Sequence, residues 1–280
     1  MIQKTIIGLL ILFIVSCKTD DVQSEVIVDD PEELKKDSVV NVIDRAYKTM
    51  DQIKLDNGIE IKWFVHGRGD KLEFGDVVSI DYKVYLMDSS IVDGNHLLQK
   101  ESMPFMIGFN MQTEGWDIAL QELKIGDFAE IYIPSKLARG ENGIEGLIPA
   151  NADNILKIRI LDVVVPTKET AGNKVWLLEE NTTNLETFNR DNEIEFHCMV
   201  STPTNPLYVN TFRSNNTFKL RYGDRGTVPG LKKSLINAKK SDRLFVLVPA
   251  SEGYGAQGYQ DVVKPNEYLF YNILVMNVIE

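Results

Sequence analysis

The chain repeats itself at one spacing, and this repeat limits its possible folds more than any other feature. Gly115-Trp116 and Gly230-Leu231 lie 115 residues apart, as do segments 131–134 (IYIP) and 246–249 (VLVP). The same offset relates further positions, namely Gly140 and Gly255, Gly143 and Gly258, and residues 155–156 and 270–271. Solenoid repeats have units of about 20–50 residues, so a period of this length predicts a duplicated domain.

The composition fits two domains and excludes several classes of protein. The 280 residues allow one large or two ordinary domains, and the repeat decides for two. Apolar residues make up 44% and charged residues 25%, which is a globular balance. The net charge of -11 argues against a nucleic-acid binder, which needs Lys and Arg for the phosphates. Two cysteines and three histidines give no basis for a zinc site, so we expect no metal and no cofactor.

The first residues are typical of an export signal. Lys4 precedes an apolar run at residues 6–15, and Ser16 and Cys17 follow. This run is too short for a membrane-spanning helix, which needs about 20 apolar residues. Residues 14–17 (IVSC) resemble the lipobox of bacterial lipoproteins, in which the cysteine is acylated. The resemblance implies a signal peptide at 1–16, lipidation of Cys17 and a lipid-anchored protein of the cell envelope, facing the periplasm or the cell surface.

Two other interpretations of this segment remain open, an ordinary secretory signal and a buried N-terminal strand. After it, residues 18–37 contain eight acidic and three basic side chains, with Pro31 in the middle. This composition favours a solvated tether, and we assign residues 17–51 to the lipidated cysteine and the tether. With Cys17 acylated, Cys198 has no cysteine partner and is expected to be a small apolar side chain in a strand.

Each unit is predicted to be mostly β-sheet with one helix, because its apolar runs are rich in Val, Ile and Tyr. The predicted elements of the first unit are strands at 76–86, 129–133 and 155–165 and a helix at 116–123. Those of the second unit are strands at 193–201, 242–248 and 269–278 and a helix at 231–238. An antiparallel sheet over a single helix predicts an α+β half-barrel in each unit.

The order of these elements and a set of short motifs resemble the FKBP family of peptidyl-prolyl cis-trans isomerases. The matching segments of the first unit are Gly75-Asp76 with 77–82, Asp93-Gly94, Pro104-Phe105, Gly108, 114–116 (EGW), Gly126-Asp127, 133–140, 146–152 (GLIPANA) and 158–163. Those of the second unit are fewer, namely Phe218, Gly223, Pro229-Gly230, Pro249, 253–255 (GYG) and Pro265-Asn266. The resemblance implies two tandem FKBP-like domains, at 52–167 and 168–280, of which the second is divergent.

In this family an apolar aromatic pocket holds the proline, and the resemblance places that pocket in the first domain. The residues implied to be catalytic are Tyr82, Asp93, Phe105, Trp116 and Ile148. Trp116 would be the floor under the proline ring, and Thr113 falls where a backbone N–H usually meets the ligand. Val92 and Leu156 stand where the family has aromatic walls. Arg139 stands where a tyrosine usually donates a hydrogen bond to the substrate carbonyl, and it could donate instead.

The second domain departs from the family in other ways. The residues expected to form its apolar walls are Phe212, Phe218, Val228, Val263 and Tyr271. Phe218 is aligned with Phe105 at an offset of 113, which implies a short change in loop length. Leu231 takes the place of the floor, and Tyr254 is the carbonyl-donating tyrosine that the first domain lacks.

Two polar positions of the second domain are also substituted. His197 is aligned with Tyr82 and is expected to be a hydrogen-bonded core histidine, whereas Arg213 is aligned with Asp93. Each domain has therefore lost part of the pocket, and the losses are largely complementary.

The expected function is peptidyl-prolyl cis-trans isomerisation that assists the folding of exported proteins. An X-Pro amide rotates over a barrier of about 18–20 kcal/mol, and a dry aromatic pocket favours its twisted, less polar form without a nucleophile or cofactor. The expected partners are proline-containing segments of exported proteins and, through the lipid, the membrane. Two alternatives remain, a non-catalytic FKBP-like binding or chaperone module and a structural subunit of an envelope complex.

Overall fold

A computed structural model describes residues 43, 45–183, 186–206, 208–214 and 216–280. The predicted signal peptide, Cys17 and most of the predicted tether lie outside the described residues. Two seven-stranded antiparallel sheets follow one another along the chain, and each packs over one two-turn helix. The α+β class and the two tandem half-barrel domains predicted from the sequence are thereby confirmed.

The first domain contains seven strands and one helix. These are β1 (Asp51–Lys54), β2 (Glu60–Val65), β3 (Val77–Leu86), β4 (Ile91–Gly94), β5 (Met103–Met106), α1 (Glu114–Leu120), β6 (Phe128–Ile133) and β7 (Asn154–Val163). The strand order is β1-β2-β6-β7-β3-β4, and β5 pairs with β3. The helix ends three residues before the predicted position because i→i+3 bonds tighten the chain at Glu122 and Leu123.

The second domain has the same topology. Its elements are β8 (Lys168–Thr170), β9 (Asn173–Glu179), β10 (Glu193–Ser201), β11 (Val209–Asn210), α2 (Thr211–Ser214), β12 (Phe218–Arg221), α3 (Pro229–Leu235), β13 (Arg243–Val248) and β14 (Leu269–Ile279). The strand order is β11-β10-β14-β13-β9-β8, and β12 pairs with β10. Helix α3 begins at Pro229, where a proline costs no hydrogen bond and its fixed φ suits the first turn.

The repeated glycines at the start of the two helices have a packing role. A Cβ on Gly115 would lie 2.4 Å from the Ile133 side chain, and one on Gly230 would lie 2.4 Å from the Val248 side chain. Ile133 ends β6, and Val248 ends β13. Only a residue without a Cβ lets helix and sheet approach this closely, which accounts for one of the strongest matches between the repeats.

A third apolar core joins the two domains. Its buried members are Val77, Met106 and Phe109 of the first domain and Trp176, Phe245, Leu247 and Phe270 of the second. Polar contacts surround it: the Trp176 indole donates to the Val164 carbonyl at 2.7 Å, and Lys100 lies 2.5 Å from Glu179. Burial of so many large apolar side chains fixes one domain against the other.

Part of the segment assigned to the tether is packed. Ile43 and Tyr47 are buried against Phe64 and Phe128 of the first domain, and the Tyr47 and Phe128 rings meet edge to face at 4.8 Å. The segment assigned to the tether, residues 17–51, is therefore packed near its C-terminal end, because apolar side chains there contact an apolar surface of the first domain. Within the described ranges, no helix is both long and apolar enough to span a membrane.

Candidate functional site

Three aromatic side chains from three elements of the first domain meet under the sheet. Tyr82 comes from β3, Phe105 from β5 and Trp116 from α1. The Trp116 ring lies edge to face with Tyr82 at 5.1 Å and stacks near Phe105 at 5.4 Å. Tyr82 is 6% exposed and the other two are 3% exposed, so the cluster is dry. These arrangements are the ones that aromatic quadrupoles favour, and they hold the Trp116 ring in one orientation.

One carboxylate reaches this cluster. The Tyr82 hydroxyl donates to Asp93 Oδ1 at 3.2 Å, and the Tyr82 N–H donates to Asn95 Oδ1 at 2.7 Å. Burial raises the pKa of Tyr82, and the negative charge of Asp93 raises it further. The phenol therefore stays protonated across the physiological range and remains a donor beside the aromatic rings.

A chain of hydrogen bonds runs from this carboxylate to the surface. Gln112 donates from Nε2 to Asp93 Oδ2 at 3.1 Å, and Arg139 donates to Gln112 Oε1 at 2.9 Å. Gln112 was not among the residues selected from the sequence, although its position next to Thr113 in the loop before α1 is a usable signal. The Arg139 guanidinium is thus hydrogen-bonded to Gln112.

The remaining residues predicted for the first pocket surround the aromatic cluster. Val92 and Ile148 are 7% exposed, Leu156 is fully buried, and all three belong to the same core as Trp116. Thr113 is the residue before α1, and its buried hydroxyl has no hydrogen-bond partner among the described residues. The structure therefore brings every residue predicted for this pocket to one region of the first domain.

A single carboxylate holds the loop that carries Gln112 and Thr113. Asp117 of α1 accepts the Gly108 N–H at 2.9 Å and also the Asn110 N–H. Burial raises the pKa of Asp117, and the two N–H donors oppose that rise. Among the described residues, no three His, Cys, Asp or Glu side chains are grouped so that they could hold a metal ion.

The strand register aligns the second domain differently from the sequence in two places. Tyr82 pairs with Ile158, and Ile273, which is 115 residues further on, pairs with Cys198. Cys198 therefore takes the position of Tyr82, and the predicted correspondence of His197 is wrong. Asp93 pairs with Val84 in the first domain, and Val209 pairs with Val200 at the equivalent place in the second. Val209 is therefore the counterpart of Asp93, and the predicted alignment of Arg213 with Asp93 is wrong as well.

The strand register also corrects the residue predicted to correspond to Phe105 in the second domain. Phe105 pairs with Val78, and its counterpart is Leu220, which pairs with Ile194. Leu220 is buried in the core, whereas Phe218 is 44% exposed on the edge strand. The offset of 113 is therefore wrong, since this position keeps the offset of 115.

Phe212 and His197 lie together outside the second core. Their rings stack at 5.1 Å, and His197 Nδ1 is 3.1 Å from the Thr211 hydroxyl, which fits the expectation of a hydrogen-bonded histidine. Successive side chains of a strand point to opposite faces, so Cys198 and His197 lie on different faces of β10. Cys198 belongs to the core of the second domain, and His197 and Phe212 do not. Phe212 is therefore not a wall of the second pocket.

What remains of the second pocket contains three tyrosines. Tyr271 is buried in the core with Val228, Leu231 and Val263, and burial raises its pKa. The Tyr254 hydroxyl lies 3.1 Å from that of Tyr208, a residue that sequence reasoning missed. With the phenol–carboxylate pair replaced by Cys198 and Val209, this pocket has an apolar floor and a polar tyrosine rim.

The class of protein that this fold defines is thus a pair of antiparallel half-barrels, each over one helix, with a buried aromatic cluster in the first domain. The sequence profile of the FKBP-type peptidyl-prolyl cis-trans isomerases matches residues 69–161 and 186–276, one match in each domain. Because the two matches together cover more than half of the residues, the chain belongs to this family.

Several characterised proteins are similar to parts of the chain. The peptidyl-prolyl cis-trans isomerase Mip of Coxiella burnetii is 31% identical over 124 residues, which cover 42% of this chain and 53% of Mip. The FK506-binding protein 1B of Neurospora crassa is 35% identical over 99 residues, covering 34% of this chain and 88% of that protein. The chain thus spans about half the length of the Mip relative.

A solved structure also aligns with most of the chain. The crystal structure of the three FKBP domains of wheat FKBP73 aligns with 80% of this chain and 96% of its own, at 20% identity and a TM-score of 0.39.

Proposed function

We propose that the first domain catalyses cis–trans isomerisation of X-Pro bonds and assists the folding of exported proteins. The observation that carries this proposal is the dry cluster of Tyr82, Phe105 and Trp116 with Asp93 bonded to the phenol. Family membership supports the reaction class, and the geometry supplies the residues.

The cluster suits the chemistry of amide rotation. Twisting the X-Pro amide removes resonance and reduces the dipole of the carbonyl. An apolar environment therefore destabilises the planar ground state more than the twisted form. In this proposal Trp116 supports the pyrrolidine ring, and the hydrogen-bonded pair of Tyr82 and Asp93 forms the polar edge of the cluster. The uncatalysed exchange takes tens of seconds to minutes, so even a modest pocket gives a measurable acceleration.

Isomerase assays on matched tyrosine variants test this proposal. The wild type should accelerate cis–trans exchange of an Ala-Phe-Pro peptide, and Tyr82→Phe should lower kcat/KM about tenfold by removing the hydrogen bond between the phenol and Asp93. Tyr132→Phe is the matched control, because the Tyr132 hydroxyl bonds Asp153 at 2.7 Å outside the cluster. Equal rates for the wild type and Tyr82→Phe would count against the assignment of the pocket.

A second candidate is a non-catalytic binding module, and the second domain is its best support. There the positions of Tyr82 and Asp93 are Cys198 and Val209, and the floor is Leu231. Such a pocket keeps apolar area for a proline ring and loses the polar pair. Peptide binding without acceleration, in the full chain, would establish this function in place of catalysis, and a stoichiometric partner in a membrane pull-down would indicate a structural subunit of an envelope complex.

We also propose that Cys17 carries the lipid that anchors the protein in the cell envelope. The support is the sequence of residues 4–17 alone. Expressed in a bacterium fed with labelled palmitate, the wild type should incorporate label and partition with membranes. Cys17→Ser should do neither, whereas Cys198→Ser should do both, since Cys198 is buried. Unlabelled wild-type protein would contradict the anchor.

A further inference from the structure

A cleft of about 720 Å³ lies between the two domains at the outer end of the first pocket. The first domain contributes residues 110–114 and Arg139, and the second contributes Met199, Pro203 and Arg213 among others. The Asn110 side chain donates to the Pro203 carbonyl at 3.5 Å across it. The volume lies within the range of about 300–1,000 Å³ typical of sites that enclose ligands.

This cleft is linked to the aromatic cluster by hydrogen bonds. Gln112 lines the cleft and donates to Asp93, which in turn accepts the Tyr82 hydroxyl. In the proposed function, residues next to a proline held at Trp116 would lie near Gln112 and the cleft that it lines.

Two guanidinium groups face this space. Arg139 donates to a neutral acceptor, Gln112 Oε1, and Arg213 forms no ion pair within the part of the chain that the structure describes. The carboxylate in the lining is Glu114, which is exposed and pairs with neither arginine among the described residues. On a chain of net charge -11, the cleft therefore brings together two guanidinium groups that form no ion pair among the described residues, and Asp93 acts on one of them, Arg139, from a distance.

The charges also act on each other. Burial lowers the pKa of Arg139, Asp93 opposes this effect, and Arg213 lowers the pKa by a smaller amount. The partly buried Arg139 guanidinium has lost part of its hydration, so an incoming carboxylate that pairs with it offsets that cost. The Thr113 hydroxyl, which also lines the cleft and has no partner among the described residues, is a further donor for such a group.

We propose that this interdomain cleft selects polypeptide segments with an acidic side chain within two residues of the proline, bound by Arg139 and Arg213. The inference rests on the proposed isomerase function of the first domain and adds a specificity determinant supplied by the second. The shared apolar core of Phe109, Trp176 and Phe270 holds together the two domains that carry these arginines.

Paired peptides test the preference on the full chain. Four Glu/Gln pairs place the varied residue one or two positions before or after the proline, and kcat/KM is measured without a coupled protease. At one or more positions the wild type should prefer Glu about fivefold, the size expected of a partly exposed charge pair, and the preference should weaken as salt is added.

Variants assign the preference to the cleft. Arg213→Gln should reduce it below about twofold, and Arg213→Glu should reverse it in favour of Lys at the same position. Arg225→Gln is the matched control, since Arg225 is exposed and outside the cleft, and it should keep the wild-type preference. Equal kcat/KM for all four pairs, or a preference that survives in Arg213→Gln, would overturn the inference.

Failure of the proposed function gives a different result. If no peptide is accelerated, the isomerase proposal fails, and the same pairs are then titrated against the protein by tryptophan fluorescence. If the Glu peptides bind more tightly than the Gln peptides, and Arg213→Gln abolishes this difference, the proposed selectivity of the cleft is supported. Equal Kd values within every pair would overturn it.

Discussion

At the scale of single residues, the first and second pockets differ by a paired change. Tyr82 and Asp93 in the first domain become Cys198 and Val209 in the second, so donor and acceptor are replaced together. Loss of only the phenol would leave a partly buried carboxylate without that donor, which is more costly than replacing both groups by apolar ones. The two residues therefore behave as one unit, and we expect that no single substitution restores the pair in the second domain.

The floor of the first pocket gives the first prediction at this scale. Trp116→Leu introduces the residue that the second domain has at this position, and kcat/KM should fall at least about tenfold through loss of ring contacts with the proline and with Phe105. The control is Trp63→Phe, which removes a buried indole bonded to Asp127, outside the pocket. Unfolding curves of both variants separate loss of activity from loss of fold, and unchanged kcat/KM in a folded Trp116→Leu variant would refute the prediction.

The buried thiol of Cys198 gives the second prediction at this scale. Burial raises the pKa of Cys198 to about 12, so almost no thiolate is present in the folded protein at pH 8. In a Cys17→Ala background the thiol should not react with a disulfide reagent at pH 8, and it should react fully in denaturant. Rapid reaction of the folded protein would show that the side chain is accessible.

At the scale of elements, the shape of the first pocket depends on the loop that α1 holds through Asp117. The raised pKa means that the folded state binds this proton more tightly than the unfolded state does. The stability contributed by this group is therefore greatest in acid and falls as the pH rises through the interval between the unfolded and folded pKa values.

A variant of this carboxyl group tests the linkage. Asp117→Asn keeps one acceptor and loses the other, so the protein should be less stable by about 1–3 kcal/mol at every pH. The difference from the wild type should be larger at pH 4 than at pH 7, because only the wild type gains stability in acid. Urea unfolding at the two pH values measures it, and a difference that does not change with pH would contradict the assigned direction.

The elements themselves were largely predictable, since their motifs are local. Residues 193–201 form β10 over the range expected from their composition, and the glycine at the start of each helix marks a close contact with the sheet. The register of β10 was not predictable. A change of one residue in the offset exchanges the faces of a strand, so His197 and Cys198 swap roles with no visible change in pattern.

At the scale of the whole molecule, the two domains form one body because they share a core. A signal for this was present in the sequence: β13 reads RLFVLV and is buried on both faces, whereas β6 reads FAEIYI and alternates. A continuous apolar strand indicates cover on both sides, but it does not name the covering surface. That surface comes from residues 106–109 of the other domain, to which no local pattern points.

Introducing a charge into this core tests whether it couples the domains. Phe109 is fully buried and contacts the Phe270 ring at 5.6 Å, so Phe109→Asp should separate the domains. Denaturation should change from one transition to two, the radius of gyration should increase, and the preference for acidic peptides should disappear. Phe109→Leu is the control and should retain one transition. Persistence of one transition and an unchanged radius in Phe109→Asp would show that the core is not what joins the domains.

The shared core also has a consequence for synthesis of the chain. The ribosome releases the first domain before the second exists, so Val77, Met106 and Phe109 emerge as an uncovered apolar surface. Until residues 176–270 follow, this surface is open to self-association or to capture by chaperones. Truncation after the first domain would make this transient exposure permanent, and the order of translation thus gives the second domain the task of shielding the first.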